Sequence, residues 1–385
     1  MSLNWIHTFC HILSSKSYVN AENLGKQLKG IEWEKTIIPY GDTTYLLPAI
    51  YCGLKRFGLL GEIDPGVTAF IEAIHHLNII RSNKITQQGI EVTKHLNAGG
   101  IQPILMKGLA GLVSGLYDEG ERIMNDIDLL IDEHELETAL QLMMDSGFRF
   151  YQSPSSDVPP MTYRHHAPGL VSDQWPVSVE LHIRPTPLSG RKTMLDSESA
   201  REGAQLIEFS GAKAWLPSLR FRLLHNFFHS QFQDGKNFLF GRLHIRGLLD
   251  WIKLREQGDN EIDWAELYDT ADTYHIAPAF SLYLYNANEY FGQPMPVEVP
   301  MPFIAKLHKS RQNLLLRSKP LASINEFTLW LLQNVWDFHS PLEGRKRYGD
   351  IPYRKALQRR YAGMLDHRWY QRRYLQLSDL LQRIK

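Results

Sequence analysis

Cysteine is scarce in this chain: Cys10 and Cys52 are the only two among 385 residues. Two cysteines cannot build a disulfide framework or, by themselves, a structural zinc site. Long apolar runs are missing too. No stretch of 18 consecutive apolar residues occurs, so no membrane-spanning helix is expected. The start, Met1 to Phe9, lacks a basic segment followed by an apolar one, so no signal peptide is expected and a reduced, cytoplasmic setting is the default. Net charge is absent as well, with 42 Lys+Arg against 42 Asp+Glu. That balance excludes a uniformly basic nucleic-acid binder and an acidic, solvating chain. A hydrophobic fraction of 43% and a charged fraction of 22% exclude a disordered chain, which would need fewer apolar residues and unbalanced charge.

The zero is a cancellation. Residues 342–385 hold 12 Lys+Arg and 4 Asp+Glu, net +8, which leaves the preceding body at net −8. At about 150 residues per domain, the length suggests two or three units. The hydrophobic pattern divides the chain into four regions. Residues 1–98 read as helical: Leu46, Leu47, Ile50 and Leu54, then Phe70, Ile71, Ile74 and Leu77, recur at helical spacing. Pro65-Gly66 separates the two runs, and a further helix is expected over 80–97, stopped by Gly99-Gly100. Residues 99–188 read as a compact α/β unit. Its strands are expected at Ile101 to Met106, Asp126 to Ile131 and Phe148 to Tyr151, followed by a pair at Tyr163 to Val171 and Val177 to Ile183. Helices over Leu109 to Tyr117 and Glu133 to Ser146 separate the first three. Residues 189–293 return to helix, and 294–385 comprise a proline-rich linker and a basic, aromatic-rich helical end.

Chemistry concentrates in the α/β unit. Asp126 and Asp128 are two apart on an expected strand, so both carboxylates leave one face while Ile127, Leu129 and Ile131 face the core. Adjacent like charges are costly unless a cation sits between them, and a hard divalent cation with oxygen ligands supplies that charge. Glu180 and His182 repeat the i, i+2 geometry on a strand whose Val179, Leu181 and Ile183 point inward. Brought beside the first two, a third carboxylate completes a site for two magnesium ions of the kind that serves phosphoryl or nucleotidyl displacement. Lys107-Gly108 lies between a strand and a helix, where backbone N–H groups and a lysine charge favour phosphate. Arg122, four residues before Asp126, can reach a phosphate or order the carboxylates. A lone Asp-x-Asp is ordinarily a solvated surface pair, and a lone Lys-Gly ordinarily a turn. Their occurrence together, in this order, is what carries the reading.

The strings Ile104-Leu-Met-Lys-Gly-Leu-Ala110, Arg122-Ile-Met-Asn-Asp-Ile-Asp-Leu-Leu-Ile131 and Val179-Glu-Leu-His-Ile-Arg184 resemble the uncharacterised nucleotidyltransferase family of the polymerase-beta-like nucleotidyltransferase superfamily. The resemblance extends from about residue 40 to about residue 290, where Leu223 to His229, Gly247 to Trp251 and Ile262-Asp-Trp264 look like the helical half of that family. It implies an α+β fold, a small mixed sheet flanked by helical regions. It implies that Asp126, Asp128 and Glu180 bind Mg²⁺, and that Lys107 and Gly108 contact nucleotide phosphates, with Arg122 and His182 beside them. The activity it implies is transfer of a nucleoside monophosphate from an NTP to an unknown hydroxyl acceptor, with loss of pyrophosphate. One departure is visible: the superfamily's usual Gly-Ser after the first strand is Lys107-Gly108 here, with no hydroxyl at Leu109.

The alternative function is a non-catalytic nucleotide- or RNA-binding module that retains the fold. Other residues read more plainly. His225 and His229 share a helix face, but without a glutamate at 226 the zinc-protease pattern fails; core or interface positions are the expectation, with lining of the cleft over the active site as the alternative. His165 and His166 are expected on a strand, facing opposite ways. Asp250 is expected to cap or pair within the helical half. The basic end interleaves arginines such as Arg345, Arg359 and Arg372 with Tyr348, Tyr361 and Tyr374. That pattern permits RNA binding, but packing against the acidic body is the favoured expectation.

Overall fold

The computed structural model describes residues 4–151, 165–186 and 195–339. The fold is α+β, with one mixed sheet of seven strands among the described residues. The strands are β1 (Ile104–Leu105), β2 (Asp126–Leu130), β3 (Arg149–Phe150), β4 (Leu170–Val171), β5 (Ser178–His182), β6 (Gln205–Phe209) and β7 (Ala212–Leu216). Their spatial order is β3-β4-β5-β2-β1-β7-β6. The central pair, β2 and β5, is parallel, and β1 runs antiparallel to β2.

Helix Pro65–Ala98 is the spine of the molecule. Asp64 caps its start by accepting from the Gly66 and Val67 amides, and Pro65 at the first position presets the backbone. At 1.5 Å per residue its 34 residues span about 50 Å. Two helices joined near residue 80 were expected, but the structure has one. The buried stripe continues through polar Asn78, Ser82 and Gln88, whose positions hide the 3.6-residue period from an apolar count. Those side chains are used: Asn78 donates to the Gly120 carbonyl and Gln88 to that of Val177. Val67 and Ile71 enter one hydrophobic core, and Ile85, Val92 and Leu96 enter a second beneath the sheet.

The first core joins the N-terminal helices to the helical half. Helix Asn4–Leu13 lies between helix Leu47–Phe57 and helix Ala277–Phe291, and Ser14 donates its hydroxyl to the Phe291 carbonyl. Buried Glu121, in the loop leading to β2, binds Arg56 at 3.1 Å and Lys253 at 2.7 Å, tying three regions together.

Residues 189–293 were expected to be helical. Instead β6 and β7 form a hairpin whose two-residue turn, Ser210-Gly211, has φ of 50° and 81°. Positive φ at both positions is the type I′ geometry that matches strand twist. Strand β7 then pairs in parallel with β1 through Ile104 and Trp215, widening the sheet. The expected helices beyond it are present as Leu219–Phe228, Ile245–Gly258, Trp264–Thr273 and Ala277–Phe291, followed by Phe303–Arg317 and Lys319–His339. The basic stretch over 342–385 lies outside the described residues. No helix among the described residues is long and apolar enough to cross a membrane.

Candidate functional site

Strand register places the acidic residues. Asp128 stands opposite Glu180 and Leu130 opposite His182 across the parallel β2–β5 pair. With a side-chain period of two, Asp126, Asp128, Glu180 and His182 all leave the same face. Ile127, Leu129, Val179 and Leu181 on the other face fill the second core, which fixes the register, because a one-residue slip would bury the charges.

The closest group is Asp128, Glu180 and His182, whose ligand atoms lie within 4.8 Å of one another. His182 Nε2 is 2.8 Å from Asp128 Oδ1 and 3.5 Å from Glu180 Oε2. Asp126 is one step along β2 and lines the cavity in front of the strands together with Glu180. Lys107 lies at the junction of β1 and helix Lys107–Val113, and its Nζ donates to Asp128 Oδ1 at 2.7 Å. Its backbone is left-handed, φ 45°, which a non-glycine residue adopts at a cost of about 1 kcal/mol. The junction therefore favours glycine sterically, yet it carries a lysine whose ammonium reaches a buried carboxylate. Gly108 follows for packing: a Cβ there would lie 2.9 Å from Met124 Cγ.

The electrostatics follow from this crowding. Burial pushes Asp126 up, and the charges of Asp128 and Glu180 add to it against Lys107 and Arg246, giving about 6. Asp128 is held far below the usual range despite its burial, because Lys107 and His182 both stabilise the carboxylate. The hydrogen bond from His182 lowers Glu180. Burial alone would lower His182, but its bonds to Asp128 and Glu180 outweigh that and raise it.

The cavity has a volume of about 650 Å³. Its opposite wall comes from the helical half: His225, the π-turn His229–Gln233 and helix Ile245–Gly258. His225 and His229, expected in the core or at an interface with the cleft as the alternative, are largely buried and line this cavity. Burial and the nearby Lys107 charge lower them to about 4 and about 3, so both are neutral imidazoles. His165 and His166 do not face opposite ways. Around His166, which bridges to His182, the backbone is not a regular strand, and both rings pack on His182 with centroids 5.3 and 5.1 Å away.

Arg122 does not reach the carboxylates of β2. It pairs with Asp250 at 2.8 Å, so Asp250 bridges the α/β unit to the helical half rather than pairing within it. Sequence reasoning missed Arg246 because nothing in its local pattern marks it; it lines the cavity and donates to the Ile123 carbonyl at 2.7 Å. It also missed a network in the same wall: Ser230 Oγ is 2.8 Å from His244 Nδ1, and His244 Nε2 is 3.2 Å from Asp234, whose carboxyl this contact lowers to about 2.

The donor set fits a hard divalent cation. Asp126, Asp128 and Glu180 offer carboxylate oxygens from one face; burial first, and then the Asp128 and Glu180 charges, raise Asp126, and a cation between them would relieve both. The fit carries one condition: Lys107 must give up its bond to Asp128.

A search of curated proteins returns no match to this chain. The family model described as uncharacterised nucleotidyltransferase matches residues 29–292, which include the sheet, the acidic face and most of the helical wall. The chain belongs to that family of uncharacterised nucleotidyltransferases.

Proposed function

We propose that the protein is a Mg²⁺-dependent nucleotidyltransferase that moves a nucleoside monophosphate from an NTP to a hydroxyl acceptor. The observation that carries this reading is the register of β2 and β5, which sets Asp128 beside Glu180 with Asp126 on the same face, in front of a cavity with a cationic far wall.

Asp126, Asp128 and Glu180 would hold two magnesium ions, which when bound supply the positive charge that the α-phosphate and the attacking oxygen need. Lys107, released from Asp128, donates to a phosphate oxygen, and Gly108 keeps the neighbouring backbone open. Arg122, fixed by Asp250, faces the phosphates from the loop before β2. The acceptor oxygen forms a bond to the α-phosphorus as the bond to the bridging oxygen breaks. Pyrophosphate leaves with that electron pair, and Glu180 receives the acceptor's proton before passing it to water. His182, buried between Asp128 and Glu180, fixes both carboxylates in place.

The test is pyrophosphate release from each NTP across a panel of hydroxyl acceptors, with the D126N/D128N variant as control. The variant should stay folded and release none. Full turnover by it would refute the assignment. A second reading, a nucleotide-binding module without catalysis, draws on the Lys107–Asp128 pair, which neutralises the buried carboxylate without a metal. Stabilisation by NTP that needs no Mg²⁺, with no pyrophosphate released, would favour it.

A further inference from the structure

Two guanidinium groups converge on the cavity wall where the loop before β2 meets the helical half. Arg122 Nη1 and Arg246 Nη2 donate to the same acceptor, the Ile123 carbonyl, at 3.1 and 2.7 Å. Only one of the two has a carboxylate partner: Asp250 binds Arg122 at 2.8 Å. Arg246 has none within ion-pair distance among the described residues; its other contact is the Tyr45 ring, 5.4 Å from the guanidinium carbon. The Nε atoms of both arginines are buried without a hydrogen-bond partner.

Two close cations with one carboxylate at ion-pair distance and Asp126 acting only from farther off, partly shielded from water, are an expensive arrangement for a structure to keep. Burial and the neighbouring Arg122 charge drag Arg246 down to about 10, the cost seen from another side. An anion in front of the pair removes that cost. A guanidinium pair suits phosphate, because each planar fork can give two parallel N–H bonds to its oxygens.

We propose that Arg246 and Arg122 together seat the terminal phosphates of the nucleoside triphosphate, and hold the pyrophosphate it becomes. This rests on the nucleotide reading above and assigns Arg246, which no motif marks, as a phosphate-binding residue. The triphosphate then lies between the carboxylates of β2 and β5, at its α-phosphate, and the helical wall, at its far end.

The experiment is calorimetric titration of the full-length protein with inorganic tripolyphosphate, with a nucleoside monophosphate and with NTP. Wild type, R246Q and R246K are compared. Glutamine keeps a donor for the Ile123 carbonyl and removes the charge. A charged hydrogen bond is worth about 1.5–3 kcal/mol, so R246Q should bind tripolyphosphate roughly ten- to a hundredfold more weakly. R246K keeps the charge but not the fork, so its tripolyphosphate affinity should fall between those of wild type and R246Q, and monophosphate binding should not change in either variant. Without ligand, R246Q should be at least as stable as wild type, because it relieves the crowded charge, whereas a purely structural arginine would lose stability. Equal tripolyphosphate binding by wild type and R246Q would overturn the proposal, as would an equal loss of monophosphate. If R246Q does not fold, R246K decides, and tripolyphosphate binding equal to wild type overturns the proposal. Arg246-dependent tripolyphosphate binding by a wild type that takes no NTP would leave the seat standing and remove the nucleotide reading. Wild type that binds neither would remove both.

Discussion

Replacing Lys107 by methionine isolates the charge at the centre of the site. Methionine keeps an unbranched stem and the same left-handed backbone cost, so the ammonium is the main thing removed. In the wild type that ammonium sits 2.7 Å from Asp128 Oδ1, on a side chain 2% exposed. Breaking one side of a buried pair costs about 3–5 kcal/mol. Protonation sets a ceiling: neutralising a carboxylate of ordinary pKa at pH 7 costs about 4 kcal/mol. The hydrogen bond from His182 remains and recovers part of the loss. The expected destabilisation is therefore about 2–4 kcal/mol at pH 7 without divalent cations. A divalent cation should reverse it. In wild type the incoming ion must displace the lysine from Asp128, whereas in K107M it meets a carboxylate held only by His182. At a hundredfold excess over its dissociation constant a bound ion stabilises by about 2.7 kcal/mol. Mg²⁺ should thus raise the stability of K107M more than that of wild type. Urea unfolding, followed by fluorescence of the chain's nine tryptophans with and without Mg²⁺, reads both effects. A loss below about 1 kcal/mol would refute the burial argument, and equal Mg²⁺ stabilisation of both proteins would refute competition between lysine and metal.

Two further outcomes follow from particular contacts. Asp126, raised to about 6, carries a proton in the folded protein at pH values where the unfolded chain has lost it. Its contribution to stability is therefore fully present below the unfolded value and is lost as pH rises toward 6. Metal binding runs the other way, since Mg²⁺ needs the carboxylate: apparent Mg²⁺ affinity, measured by calorimetry, should fall about tenfold per unit below pH 6, and D126N should abolish that limb. At Gly53 a Cβ would lie 2.0 Å from the Ile12 carbonyl oxygen, a backbone atom that cannot swing aside. Gly53→Ala should therefore cost at least about 2–3 kcal/mol in urea unfolding by parting helix Asn4–Leu13 from helix Leu47–Phe57; a loss under about 0.5 kcal/mol would contradict that packing.

The acidic face was legible because strand alternation is a local rule. Asp126, Asp128, Glu180 and His182 could be assigned to one face from spacing alone, and parallel pairing of β2 with β5 supplied the rest. What depends on tertiary contact was not legible. Arg246 sits in an unremarkable helix, Ile245–Gly258, and becomes notable only because the fold carries it to the Ile123 carbonyl beside Arg122. Asp250 gained its role the same way, by meeting an arginine from a distant loop. The long spine helix was broken in the reading because its buried face is polar where it crosses Asn78, Ser82 and Gln88. The β6–β7 hairpin had a local signal, Ser210-Gly211 between short alternating runs, and the helical texture around it obscured that signal.

The central claim is that the carboxylates of β2 and β5 bind an NTP through magnesium. Equilibrium titration of NTP into wild type and D126N/D128N, each with and without Mg²⁺, tests it most directly. Binding should require the metal in wild type and be lost in a double variant that remains folded. Equal NTP binding by the two proteins, or binding indifferent to Mg²⁺, would contradict it.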